Sequence, residues 1–509
     1  MMSSLSWPVG TDALALADLI LRGELSAHEA LECAIGRVAR TDPSINALCN
    51  PAHEQARSQA FTLDAELARA RRSSDGLVRL RRERPFFGVP MPLKDLATAA
   101  RGLPSTMGSR LFGRLDWSLD SALVARYRRA GFVLFARSTS PEMGISPATE
   151  ARAYGGPTRN PWNTAFSAGG SSGGAAAAVA ARIVPIAHAS DGAGSIRIPA
   201  ACCGLVGLKP TRGLVPSGPL SGEGWGGLAT EHVVALSVRD SAMALHLSAG
   251  SDPGAPYSAP AWHDPMPGVL APGATLGQLR VALMDSTLEG TPVHPEVAEA
   301  VRAAGHLLES LGHTVTPARP AVRTREMLEP LVRVVASGTA MAIDGHLARR
   351  GRGLAEDELE PTTRSAWEYG RSLSAPQYLS ALSTLHALSR RVAEFFTPAG
   401  DAQAGYDLLL CPVLAEPPAL VGRWAMNNPD FLDYRLGANG IMGYSPFCPL
   451  ANMTGQPAIS LSLGVTATGL PIGVQLVGRF GEDARVLALA AQLEAAQPWI
   501  RRLPPVVAS

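Results

Sequence analysis

Two clusters of small residues constrain this chain more than any other feature: Gly169-Gly170-Ser171-Ser172-Gly173-Gly174 and Gly192-Ala193-Gly194-Ser195. Glycine at that density gives up conformational order, and it is useful mainly where a backbone must bend sharply or approach something closely. Residues 175–182 have high helix propensity, which places the first cluster at a helix N-terminus. Residues 183–189 read as a strand ending just before Asp191, so the second cluster is a strand-to-helix turn. Such turns present backbone N–H groups to a developing negative charge. The stretch from Ala168 to Gly207 is therefore expected to be an active site whose hydroxyls and backbone amides carry out acyl transfer.

The flanking sequence supplies a layered α/β frame. Residues 11–72 read as helices. Within them Ser26-Ala-His-Glu29 is a capping box, followed by Leu31, Ala34, Ile35 and Val38 at helical spacing, and Pro43 is expected to stop that helix. Prolines 85, 90 and 92 forbid helix over 82–95, which is expected as an extended strand ending near Lys94. A helix over 122–130 and a strand over 132–136 give the alternation of a sheet protein. Residues 251–277 read as a long surface connection. Beyond it come a strand over 279–284, a helix over 295–311, a strand near Thr314, and a largely helical segment over 321–400. Strands over 407–411, 458–463 and 472–477 and a last helix over 483–495 complete the order. The 509 residues are expected to form one domain, with a helical layer at 10–72, a catalytic core at 76–250 and a second half at 278–505.

Bulk properties exclude several classes. A net charge of +1 leaves no electrostatic footprint for nucleic acid. No run of 18 apolar residues suggests a membrane span, and the opening MMSSLSWPVGTD lacks a secretory pattern, so a cytoplasmic location is expected. The cysteines, at 33, 49, 202, 203, 411 and 448, have no metal-ligand spacing, and the histidines form no paired motif. No metal and no cofactor are expected.

Of 45 lysines and arginines, only Lys94 and Lys209 are lysine. A position still held by Lys is a candidate for something Arg cannot do, above all losing its proton. A serine nucleophile needs a base, and His188, on an apolar strand, reads as a core residue. A Ser–Lys arrangement is the alternative, provided burial keeps the amine neutral; Lys94 in the apolar MPLKDL run fits that requirement.

Together Pro92-Leu93-Lys94-Asp95, GGSSGG at 169–174, SDGAGSIRIPA at 190–200 and GLVGLKPTRG at 204–213 resemble the amidase signature family, with Ser195 following Ser171 by 24 positions. The likeness continues through Ser237-Val238-Arg239-Asp240, Asn452-Met-Thr-Gly-Gln-Pro457 and Gly469-Leu-Pro-Ile-Gly473. It implies the amidase signature fold, a large central mixed β-sheet covered by helices on both faces. It also implies a hydrolase of amide C–N bonds with Ser195 as nucleophile, Ser171 as a relay held by a cis peptide, and Lys94 as base. The amides of Gly192, Ala193 and Gly194 would form the oxyanion hole, Asp191 and Arg197 a supporting ion pair, and Ser172 a helix-start residue supporting Ser171. Lys209 would be structural.

Two positions depart from the family pattern. Ala193 replaces a glycine before the nucleophile, and Ser138 stands where relatives often have Asn, putting a contact near the triad in doubt. Details around 188–207 and 231–240 look closest to the 6-aminohexanoate-cyclic-dimer hydrolase-like branch. Trp225, Tyr444 and Phe447 are the candidate pocket aromatics, implying a partly apolar small-molecule amide, lactam or aryl amide, with a carbamate or ester as the alternative. A glutamine-hydrolysing amidotransferase subunit fits less well. A phosphate-binding loop does not fit, because no Lys-Ser/Thr follows GGSSGG. No membrane or nucleic-acid partner is expected, and the chain would act as a monomer or homodimer.

Overall fold

Residues that are apolar at every position of a strand belong where a sheet is covered on both faces, and this chain has several such runs. The computed structural model describes residues 7–271, 276–397 and 405–508. A small sheet comes first: β1 (Leu48–Cys49), β2 (Pro90–Lys94) and β3 (Val133–Ser138), in the order β1-β3-β2. A two-stranded ribbon follows, β4 (Arg159–Asn160) with β5 (Asn163–Ser167). The main sheet has eight strands: β6 (Ile186–Asp191), β7 (Val206–Lys209), β8 (Thr230–Ala235), β9 (Arg280–Leu283), β10 (Thr314–Pro317), β11 (Leu408–Pro412), β12 (Ala458–Val465) and β13 (Pro471–Gly478). Their order is β10-β9-β11-β13-β12-β7-β8-β6. The β10–β9 and β9–β11 pairs are parallel and the others antiparallel, so the sheet is mixed. Every residue of β11 and β13 is buried, so both faces are covered.

Both sheets end at the site. β2 is the edge of the small sheet and β6 the edge of the large one. They meet through a side chain: the Lys94 N–H donates to His188 Nδ1 on β6 at 3.2 Å. The helix Gly173–Ala180 fills the angle between them, and all eight of its residues are buried. Alanine and glycine allow a helix to lie that deep between sheets, since no side chain longer than valine has to be accommodated. Helices Thr324–Arg350 and Ala375–Phe396 pack on the Trp225–Gly226 segment, the first through Gly338 and the second through Tyr378 and Leu382.

Three local expectations are corrected. Pro43 does not stop its helix, which runs Ala27–Ile45; a proline in the last turn removes one hydrogen bond where few remain. The N-terminal layer is not wholly helical, because Leu48–Cys49 pairs with β3. The extended reading of 82–95 holds only for Pro90–Lys94, with Gly76–Glu83 a helix that closes before Pro85. The connection over 251–277 carries a short helix, Met266–Leu270, and its residues 272–275, like residues 398–400 of the helical segment and the opening residues 1–6, lie outside the described residues. No helix among the described residues is long and apolar enough to cross a membrane.

Candidate active site

Lys94 closes β2 with every polar atom held. Its N–H is taken by His188 and its carbonyl accepts from Arg137 Nη1 at 3.1 Å. Its Nζ donates to Ser171 Oγ at 2.7 Å, to Ser190 Oγ at 3.0 Å and to the Ser190 carbonyl at 3.3 Å. The side chain is entirely buried. Burial disfavours the ammonium and outweighs the pull of Asp191 and Glu231, lowering the amine from its usual 10.5 to about 7. An amine so placed is partly neutral near pH 7 and can take a proton from the hydroxyl it touches.

Ser171 is reached through a cis Gly170–Ser171 peptide at the mouth of the buried helix. Ser172 occupies the N-cap position, but its hydroxyl makes no cap bond. Instead it donates to the Ser190 carbonyl at 3.2 Å, and its N–H donates to the Ser195 carbonyl at 3.2 Å. The two glycine-rich turns are thereby fastened to each other. Ser138 is the register partner of Lys94 in the parallel β2–β3 pair, and its buried hydroxyl has no hydrogen-bond partner among the described residues.

The turn after β6 is folded around one carboxylate. Asp191 receives both forks of Arg197, at 2.8 and 2.9 Å, together with the N–H groups of Gly194 (2.7 Å) and Ile196 (3.1 Å). Asn452 joins the cluster, giving an N–H to Asp191 Oδ1 at 2.9 Å and accepting from Arg197 at 2.6 Å. Burial pushes the Asp191 carboxyl up, but the charge and hydrogen bonds of Arg197 outweigh it and hold the group well below the usual carboxylate range. Because the Gly194 N–H is committed to Asp191, it drops out of the three amides expected for an oxyanion hole. The N–H groups of Gly192 and Ala193 have no acceptor among the described residues. Gly194 has a φ of +121°, which requires glycine, whereas Ala193 is not among the positive-φ residues and tolerates its side chain.

A cavity of about 270 Å³ opens in front of the serines, with Ser171, Ser190, Gly192 and Ser195 in its wall. Leu96, Met107, Met143, Leu220 and Trp225 make it largely apolar. Trp225 is pinned from two sides. A Cβ on Gly192 would lie 2.5 Å from its ring and one on Gly338 2.7 Å from it, so both positions must be glycine for the indole to lie there. Behind Ser195, a second space of about 20 Å³, room for about one water, touches Ala193 and Arg435.

A family profile described as amidase matches residues 29–487. The chain belongs to the amidase family. Its relatives include a 6-aminohexanoate-cyclic-dimer hydrolase of Paenarthrobacter ureafaciens, 37% identical over 506 residues and covering 97% of each chain. Among solved structures, one of a 6-aminohexanoate cyclic dimer hydrolase superposes with a TM-score of 0.86 at 35% identity, covering 98% of this chain and all of that one. A bacterial aryl acylamidase of the amidase signature family superposes with a TM-score of 0.85 at 26% identity, covering 99% of each. The α/β fold with its large mixed sheet is that of these enzymes, and this chain is a hydrolase of amide C–N bonds.

In this amidase Lys94, Ser171, Ser172, Asp191, Gly192, Ala193 and Ser195 converge, and Trp225 lines the cavity. Tyr444 and Phe447 do not. Tyr444 is a core residue whose OH accepts from the Ala419 N–H at 3.2 Å and lies against Cys202 and Trp424. Phe447 is buried and absent from the cavity wall. Both chain positions precede a motif that reaches the site, but their side chains turn into the packing behind it. Reading the sequence alone misses Ser190, which braces Lys94, and Glu231, the one charged residue in the cavity wall among the described residues. A signal for the latter was present: Thr230-Glu231-His232 puts polar residues at the start of an otherwise apolar strand.

Proposed function

We propose that this amidase hydrolyses small amides through an acyl-enzyme on Ser195, with Ser171 as proton relay and Lys94 as base. The supporting observation is the 2.7 Å contact between the buried Lys94 Nζ and Ser171 Oγ, with Ser171 and Ser195 opening on the same cavity. Ser195 Oγ attacks the amide carbon while its proton passes to Ser171 and the Ser171 proton passes to neutral Lys94. The new oxyanion lies against the unpaired amides of Gly192 and Ala193. When the C–N bond breaks, the proton returns by the same route to the leaving nitrogen. A water, activated in the same way, then cleaves the ester and frees Ser195. Burial of Lys94 serves both halves, since its amine must accept and return a proton within one turnover. Asp191 and Arg197 act through the turn that they shape and touch no substrate.

The cavity lies near the lower end of the range for small-ligand sites, which favours compact substrates. The names of the relatives place lactams and anilides first among the amides to assay, with carbamates and esters in the same panel. A fluorophosphonate is expected to add its mass to Ser195 and to no other residue. Ser195→Ala should lower kcat by about 10⁴-fold or more on every substrate cleaved. Labelling elsewhere, or a Ser195→Ala enzyme near full rate, would remove the assignment.

A further inference from the structure

Among the described residues, those that line the cavity are apolar or neutral except Glu231. Glu231 lies on β8 opposite Ser190, and cross-strand partners share a face, so its carboxylate and the serine that braces Lys94 point the same way. One oxygen, Oε1, accepts from the Thr98 hydroxyl, and His188 Nε2 lies 3.6 Å from it, longer than a hydrogen bond. Oε2 has no hydrogen-bond partner among the described residues. A quarter of the side chain is exposed, whereas its neighbour His188 is fully enclosed. Burial raises this carboxyl, but the nearby His188, the hydrogen bond from Thr98 and the charge of Lys94 prevail and keep it below the usual range, so it is ionised at neutral pH. His188, Lys94 and Arg137 act on this carboxylate through space, but Oε2 accepts no hydrogen bond among the described residues, so a donor that enters the cavity would find an acceptor ready for it.

We propose that Glu231 is the recognition group of this cavity, and that the substrate segment that fills it is apolar and carries an ammonium or comparable N–H donor at its far end. This rests on the acyl-enzyme reading above, because the cavity is taken as the place where substrate meets Ser195. The apolar walls would hold a methylene or aryl segment, while the carboxylate fixes how far the donor lies from the scissile bond. Neutral Lys94 makes this compatible with catalysis, since no second cation resides at the site until a proton is transferred.

The test uses the full-length enzyme at pH 8 and two series of substrates. In one, 4-nitroanilides of straight-chain ω-amino acids are compared with those of fatty acids of matching length. In the other, acetamides of α,ω-diamines are compared with those of simple alkylamines. In one series, at one chain length, the ammonium member is expected to be preferred in kcat/KM by about tenfold or more, the scale of a charge-assisted hydrogen bond. Glu231→Gln should abolish that preference and Glu231→Asp keep part of it. Any effect of the substitution on Lys94 or on folding scales both members of a pair and cancels in the ratio, so a merely structural Glu231 would leave the preference untouched. Should Glu231→Gln not fold, the wild-type enzyme still decides: n-alkylammonium ions must inhibit more strongly than n-alkanols of equal length. Equal inhibition, no ammonium preference in either series, or a preference that survives Glu231→Gln overturns the proposal. Failure of the acyl-enzyme reading looks different, because Ser195→Ala would then cleave both members of a pair at wild-type rates.

Discussion

Lys94 and Lys209 occupy two buried corners of the same fold. Each ends a strand, each is completely buried, and burial brings each amine down to about 7. At Lys209 the charge of Arg197 pushes the same way, while Asp191 and Asp483 oppose it. Their surroundings differ in one respect. The Lys94 amine meets the hydroxyls of Ser171 and Ser190, both of which line the cavity, whereas the Lys209 amine donates at 2.7 Å to the carbonyl of Pro210, which is not part of that wall. A lowered pKa is therefore not what sets a base apart. What does is a hydroxyl within reach and a way in for substrate.

The largest expected effect within this pair separates the two lysines directly. Lys94→Met should lose about 10²–10⁴ in kcat/KM, the usual share of a general base, while Lys209→Met keeps most of its rate; equal losses would erase the distinction. Next comes the turn that Lys94 serves. Asp191→Asn removes one partner of a buried, fully bonded pair and should cost about 3–5 kcal/mol, read as a lower denaturant midpoint at unchanged slope. The pH dependence is sharper still as a comparison. Activity should rise with pH through about 7, as Lys94 loses its proton. Both lysines bind fewer protons folded than unfolded between about 7 and their usual 10.5, so stability rises as pH climbs through that window and the cost of burying each ammonium stays constant below it. Lys209→Met should flatten the stability profile and leave the acid limb of the rate profile in place. The smallest effect is expected at Ala193→Gly, within about 1 kcal/mol in stability and with activity retained, because Ala193 already lies at negative φ.

Much of this site was legible because its chemistry is local in sequence. The two small-residue clusters each specify a turn, and the strand and helix around each turn are fixed by apolar runs and alanine. Lys94 stood out because the chain otherwise relies on arginine. Residues whose role depends on which way a side chain faces were harder to read. Trp225 reaches the cavity because Gly192 and Gly338 leave room for its ring, a fact about two distant glycines. Tyr444 has the same aromatic character and is turned into the core by the Ala419 amide. The amide of Gly194 could be assigned to Asp191 only once the turn was folded. Glu231 needed the β6–β8 register before its proximity to Ser190 could be known.

A chain with only two lysines allows the central claim to be measured without interference. With lysine labelled at the ε position, heteronuclear NMR of the whole enzyme should give two amine signals, and Lys209→Met assigns them. The expected result is that the Lys94 signal titrates near 7 and that its midpoint coincides with the acid limb of kcat/KM. A Lys94 amine that titrates near its usual 10.5, or an acid limb that follows neither its midpoint nor its removal, would contradict its assignment as the base.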